Sequence, residues 1–183
     1  MSIRNKVINL KSEILFREAE DAFLYFNQPK KAIRLLNESL NLTSLHTKSL
    51  VLKGDIRFMQ GKIEEALELY LLANQVNNND SKTLASIANC LELKEDYSNA
   101  LSYCDKAFLF INEDNCQLYL SLYELKLSIL LKLKKYNQAK QFISTAKYRL
   151  SIEELVSLKT HNELINSKLQ LQSKLKSGYI RAV

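Results

Sequence analysis

The chain reads as an all-α solenoid of about four helix-turn-helix hairpins followed by a C-terminal helix, and three observations carry that reading. Ala32, Ala66 and Ala100 recur every 34 residues, and Ala139 follows 39 residues later. Leu36, Tyr70, Cys104 and Ile143 lie four residues beyond those alanines, and Ser39, Ala73, Ala107 and Ala146 lie seven beyond. A small–bulky–small face repeating at about 34 residues marks stacked helical hairpins. The chain also holds a single proline and three glycines in 183 residues, too few for the many turns of a β-rich fold. Finally, Leu50–Asp80 contains two amphipathic runs joined at Gly61, with Ala66, Tyr70 and Ala73 on one face of the second.

Taken in order, residues 3–26 form one long helix, with Ile3, Val7, Ile14 and Leu15 feeding its apolar face. Asn27-Gln28-Pro29 ends it, and Pro29 fits the first turn of a helix running to about Asn41, where its missing N–H is not needed. After a connector at Asn41–Ser44 come helices at about 46–60 and 62–76. Gly54 lies inside the first of these, at a cost of roughly 1 kcal/mol against alanine, so another helix must approach closely there. Gly61 suits a helix C-terminus that needs positive φ. Asn77–Asp80 is a turn, with Asp80 or Ser81 the N-cap of a helix at 81–94; Asp96 caps the next, at 96–111. The polar stretch Asn112–Gln117 absorbs the five extra residues of the period. Helices at about 117–133 and 135–149 follow. Ser151-Ile152-Glu153-Glu154 is a capping box opening a last helix over about 152–177, and a second box, Thr160-His161-Asn162-Glu163, marks a kink or break. In that last helix Leu155, Leu158, Ile165 and Leu169 form one apolar stripe and Leu164, Leu171 and Leu175 another; the first suits a cap over the open end of the solenoid. Gly178–Val183 is a frayed end. No linker divides the chain, so residues 1–183 are expected to be one domain.

These spacings, over roughly residues 13–148, resemble the tetratricopeptide repeat family. Departures are the absence of tryptophan, a first-helix glycine in one copy alone (Gly54), and Asn78 and Asn112 where a repeat-ending proline is usual. The resemblance implies a right-handed solenoid with repeats at about 13–46, 47–80, 81–114 and 120–149, whose first helices line a concave groove. It places Asp21, Asp55, Asn89 and Ser128 in one column of that groove. Arg17, Val51 and Glu124 fall in a second column with Ala85, and Lys48 and Lys82 in a third with Ile14 and Ser121. Phe58 and Glu92, then Met59 and Leu93, lie toward the lower edge. In the family an asparagine of the first column often bonds the backbone of a bound peptide, and Asn89 alone matches. The variant that clamps acidic chaperone tails needs lysines, asparagines and an arginine where this chain has Asp21, Asp55, Val51 and Glu124, so that ligand is rejected. Apolar patches beside acids suit an extended or helical peptide with apolar anchors and some basic residues. The rival reading of Phe58 and Met59 is inter-helix core.

Composition bounds the remaining classes. With 46% apolar and 25% charged residues the chain folds. It has no apolar leader and no membrane-length apolar run, which points to a cytoplasmic protein. The net charge of +6 is uneven: residues 1–139 hold 18 Lys/Arg against 17 Asp/Glu, residues 140–183 hold 8 against 3. Near-neutral repeats argue against nucleic acid, and the tail lysines are not interleaved with aromatics. Cys90, Cys104 and Cys116 form no CxxC and read as buried thiols. His46 and His161 lack metal-ligand partners and read as solvated, and Glu64-Glu65 and Glu153-Glu154 as first-turn acids favourable to the helix dipole. No phosphate loop, nucleophile elbow or catalytic constellation is present, and no cofactor or metal is expected. The chain therefore reads as a non-enzymatic protein-interaction module. The alternatives are a structural subunit self-associating through its C-terminal helix and, below it, an RNA-binding helical repeat.

Overall fold

The computed structural model describes residues 3–112, 116–146, 150–151, 156 and 158–176. Among them every regular element is a helix: α1 (Ile3–Leu24), α2 (Pro29–Leu42), α3 (Thr47–Met59), α4 (Ile63–Val76), α5 (Ser81–Leu93), α6 (Tyr97–Phe110), α7 (Cys116–Lys132), α8 (Tyr136–Ala146) and α9 (Lys159–Lys176). Consecutive helices pack as α1–α2, α3–α4, α5–α6 and α7–α8 hairpins. Each hairpin stacks on the next through α2–α3, α4–α5 and α6–α7, and α9 lies on α8. The architecture is an α-solenoid of helical hairpins.

The repeating small residues make the hairpins close. Ala32, Ala66, Ala100 and Ala139 are wholly buried, as are Ser39, Ala73, Ala107 and Ala146 seven residues on. The bulky residue between them is buried in the first three hairpins (Leu36, Tyr70, Cys104) and half-buried in the fourth (Ile143). Gly54 has the close neighbour that its helical position demands: a Cβ there would stand 2.6 Å from Cε1 of Tyr70, so the ring occupies the space a side chain would take.

The hairpin turns share one geometry. Asn27, Gly61, Glu95 and Lys134 all have positive φ, at 49°, 74°, 61° and 56°, and they repeat with the same spacing as the alanines. In the last three turns the following N–H reaches back across the helix end, Lys62 to Arg57, Asp96 to Leu91 and Lys135 to Leu130, at 2.9–3.0 Å. These bonds satisfy carbonyls that the helix leaves open. Asp80 and Asp96 cap α5 and α6, accepting from the N–H groups of Thr83 (2.9 Å) and Asn99 (3.3 Å).

His46 departs from the expected solvated side chain. It is half-buried at the N-cap of α3; Nδ1 lies 2.7 Å from Ser49 Oγ and Nε2 3.3 Å from Glu13 Oε2. Ser49 in turn meets the Ser39 hydroxyl at 2.9 Å, and Ser39 donates to the Ser12 carbonyl at 3.0 Å. Serine replaces alanine at Ser39 because this first hairpin is tied to α3 by a buried hydroxyl chain. Glu13 also takes Lys48 at 2.7 Å, which holds its carboxyl below the usual range.

At the other end, Leu158 just before α9 and Ile165 within it are buried and Leu169 packs on the last hairpin, whereas Leu164 and Leu171 are exposed. The helix begins beside the Thr160 box. Of the Ser151 box, residues 152–154 lie outside the described residues, as do Leu155, the frayed end and the side chains of Cys116 and Leu175. Cys90 and Cys104 are buried, and burial pushes their thiols up to about 11 and about 12.

Candidate functional site

Two recesses lie side by side on the faces of α3, α5 and α7. The smaller, about 270 Å³, is lined by Asp55, Phe58 and Met59 of α3, Tyr70 of α4, and Ser86 and Asn89 of α5. The larger, about 620 Å³, is lined by α5 (Lys82, Ala85, Ser86, Asn89, Glu92), α7 (Leu118, Ser121, Leu122, Glu124, Leu125, Ser128) and His161 of α9. Ser86 and Asn89 belong to both, so the recesses meet on α5 and form one groove across successive hairpins.

Local sequence positions each lining group. The Tyr70 ring lies against Gly54, and its hydroxyl donates to Asp55 Oδ1 at 2.6 Å. Burial pushes the Asp55 carboxyl above the ordinary carboxylate range, although the Tyr70 bond and the Lys82 charge pull it down. Burial, and then Asp55 itself, raises the Tyr70 phenol. Asp55 is thus half-buried and committed to a neighbour, not a free polar group of the groove wall. Phe58 packs partly on the core around Ala66, Tyr70, Ile87 and Cys90 while lining the smaller recess; Met59 beside it is exposed. In the larger recess Ser128 donates to Glu92 Oε1 at 3.0 Å.

Of the groove residues expected from the sequence, Asp55, Phe58, Met59, Lys82, Asn89, Glu124 and Ser128 come together here. The other five line neither recess. Arg17 and Lys48 both pair with Glu13, at 3.5 and 2.7 Å, and Asp21 is exposed on α1. Val51 packs into the core around Tyr70, and Leu93 is exposed at the end of α5.

His161 also differs from its expected place. It is half-buried, its Nδ1 is buried without a hydrogen-bond partner, and it walls the larger recess. The signal was available: Leu158, His161 and Ile165 share one helical face, so the packing that buries the two apolar residues turns the imidazole inward. Ser86 carries no comparable signal; it becomes a groove residue because both recesses meet on its helix. Among the described residues no group of three His, Cys, Asp or Glu could hold a metal ion, and no helix is long and apolar enough to cross a membrane.

No family model matches the chain, and no curated protein does. Fifty-three chains among solved structures match it. One, MamA AMB-1, has a TM-score of 0.62 at 12% identity, with 81% of this chain and 78% of that chain covered. Another structure of MamA has a TM-score of 0.58 at 14% identity, covering 89% of this chain and 81% of that one. Identity at this level speaks to fold, and the fold is that of a tetratricopeptide-like helical solenoid.

Proposed function

We propose that this tetratricopeptide-like solenoid is a non-enzymatic interaction module that binds a segment of another protein along the groove over α3, α5 and α7. The observation that carries the reading is the junction at Asn89. This half-buried amide stands where the two recesses meet, between Phe58 and Met59 on one side and Glu124 and Ser128 on the other. A side-chain amide offers two donors and an acceptor, the set needed to take a main chain passing over it. Apolar anchors on either side then select side chains, the usual division of labour in peptide recognition.

Filling the junction tests this. Asn89→Trp should leave helix content and the melting transition close to wild type, since Asn89 faces the groove. It should abolish capture of the partners that wild type recovers from extract of the source cell, while Leu109→Trp on the exposed face of α6 keeps them. Partners retained by Asn89→Trp at wild-type levels contradict the proposal.

A second reading, self-association, is favoured by one observation. Leu164 and Leu171 form an exposed apolar stripe on the outer face of α9, whose inner face is already used to cap the solenoid.

A further inference from the structure

Several carboxylates of this chain are matched to cations. Glu13 pairs with Lys48 at 2.7 Å, Glu64 with Lys94 at 2.6 Å, Glu65 with Lys62 at 2.8 Å and Asp105 with Lys126 at 2.6 Å. Asp55 is matched differently, by the Tyr70 hydroxyl. Glu92 and Glu124 have no such match and share one recess. Both are half-buried in the wall of the larger recess, on facing helices α5 and α7, and among the described residues neither forms an ion pair. Glu92 is held in place by the Ser128 hydroxyl at 3.0 Å, a single neutral donor. Lys82 shares the recess but pairs with neither. The imidazole of His161, its Nδ1 unpartnered, lines the same space.

Two carboxylates without an ion-pair partner on facing walls of one recess can each accept a charge-assisted hydrogen bond from a bound cation. Resting on the groove reading above, we propose that the recess between α5, α7 and α9 is the subsite for a lysine or arginine side chain of the bound segment. Glu92 and Glu124 are its anchoring groups and His161 part of its wall. Asn89, one helical turn before Glu92, would hold the main chain of the same segment, so the cation and the backbone are read together. The aliphatic stem of a lysine or arginine would lie along Leu118, Leu122 and Leu125, which line the same recess. The proposal therefore specifies a basic, not an acidic, partner segment, and places its charged residue on the α7 side of Asn89.

The test is a selection of random twelve-residue peptides displayed on phage against the immobilised full chain, repeated with Glu92→Gln/Glu124→Gln and with Asn89→Trp. Glutamine keeps the size of both side chains and an acceptor for Ser128, and melting curves verify that each variant folds. The expected result is a recurring Lys or Arg at one position of the enriched peptides. Those peptides should bind the double glutamine variant at least fivefold more weakly, with a shallower salt dependence. Peptides that Asn89→Trp displaces but that carry no recurring cation, or that bind the glutamine variant unchanged, overturn the cationic subsite and leave the groove standing. Failure to enrich any peptide sensitive to Asn89→Trp overturns the groove reading and the subsite together.

Discussion

At the scale of single residues, Gly54, Tyr70 and Asp55 act as one unit. The glycine leaves room for the ring, the ring carries its hydroxyl to the carboxylate, and the carboxylate shapes the groove wall. Gly54→Ala places a methyl 2.6 Å from the ring and should cost about 1–3 kcal/mol by overpacking, read as a lower urea midpoint with unchanged slope. Asp55 makes a pH prediction. Its folded carboxyl holds a proton to higher pH than the unfolded one, which titrates at about 3.9. Folding stability therefore falls as pH rises through the window between those two values. Asp55→Asn keeps an acceptor for Tyr70 but cannot ionise. It should be at least as stable as wild type at pH 7, and any advantage should shrink as the pH is lowered to about 4. Chemical denaturation at several pH values measures this; an advantage that grows on acidification contradicts the assignment.

At the scale of elements, the repeating helices were legible because a hairpin needs a small residue where its helices touch, and Ala32, Ala66, Ala100 and Ala139 display that need openly. The left-handed turn residues were legible at Gly61 alone. Asn27, Glu95 and Lys134 adopt the same conformation because the returning bond to the helix end compensates their strain, and residue type does not disclose it. Two elements misled. His46 sits at a helix start, where a polar residue usually meets water, yet the hydroxyl chain through Ser49, Ser39 and Ser12 draws it inward. That chain joins residues 27 and 10 positions apart, beyond any local pattern. His161 lies in a polar stretch, and its place in the groove depends on how α9 caps the last hairpin. The cap itself is testable. Ile165→Ala should lower stability by about 2–5 kcal/mol, because Ile165 is wholly buried. Leu171→Asp, on the exposed face, should change it by less than about 0.5 kcal/mol. Light scattering on the Leu171→Asp protein also tests self-association, which requires a mass for wild type that this substitution reduces.

At the scale of the whole molecule, the solenoid turns separate local patterns into one surface. Asp55, Asn89 and Ser128 recur at repeat-related positions, and stacking of α3, α5 and α7 sets them along a single groove. The same stacking leaves Arg17, Asp21 and Lys48 of the N-terminal hairpins outside it. There the polar residues are used to tie α1 to α3: Glu13 of α1 binds His46 at the start of α3 and Lys48 within it. Of the column residues, Asp55, Phe58, Met59, Lys82, Asn89, Glu124 and Ser128 line the two recesses, and Arg17, Asp21 and Lys48 do not. At the C-terminal end α9, which follows no repeat, supplies His161 to the wall, a place that the 34-residue period does not announce.

The central claim, that the groove at Asn89 is the working surface, is tested most directly by site-specific photocrosslinking in the source cell. A benzophenone amino acid is placed in turn at Asn89 and at exposed Leu109 on α6. The account predicts discrete adducts with another protein from position 89 and none of the same mass from position 109. Adducts that form from position 109 and are missing from position 89, with both variants folded, would contradict it.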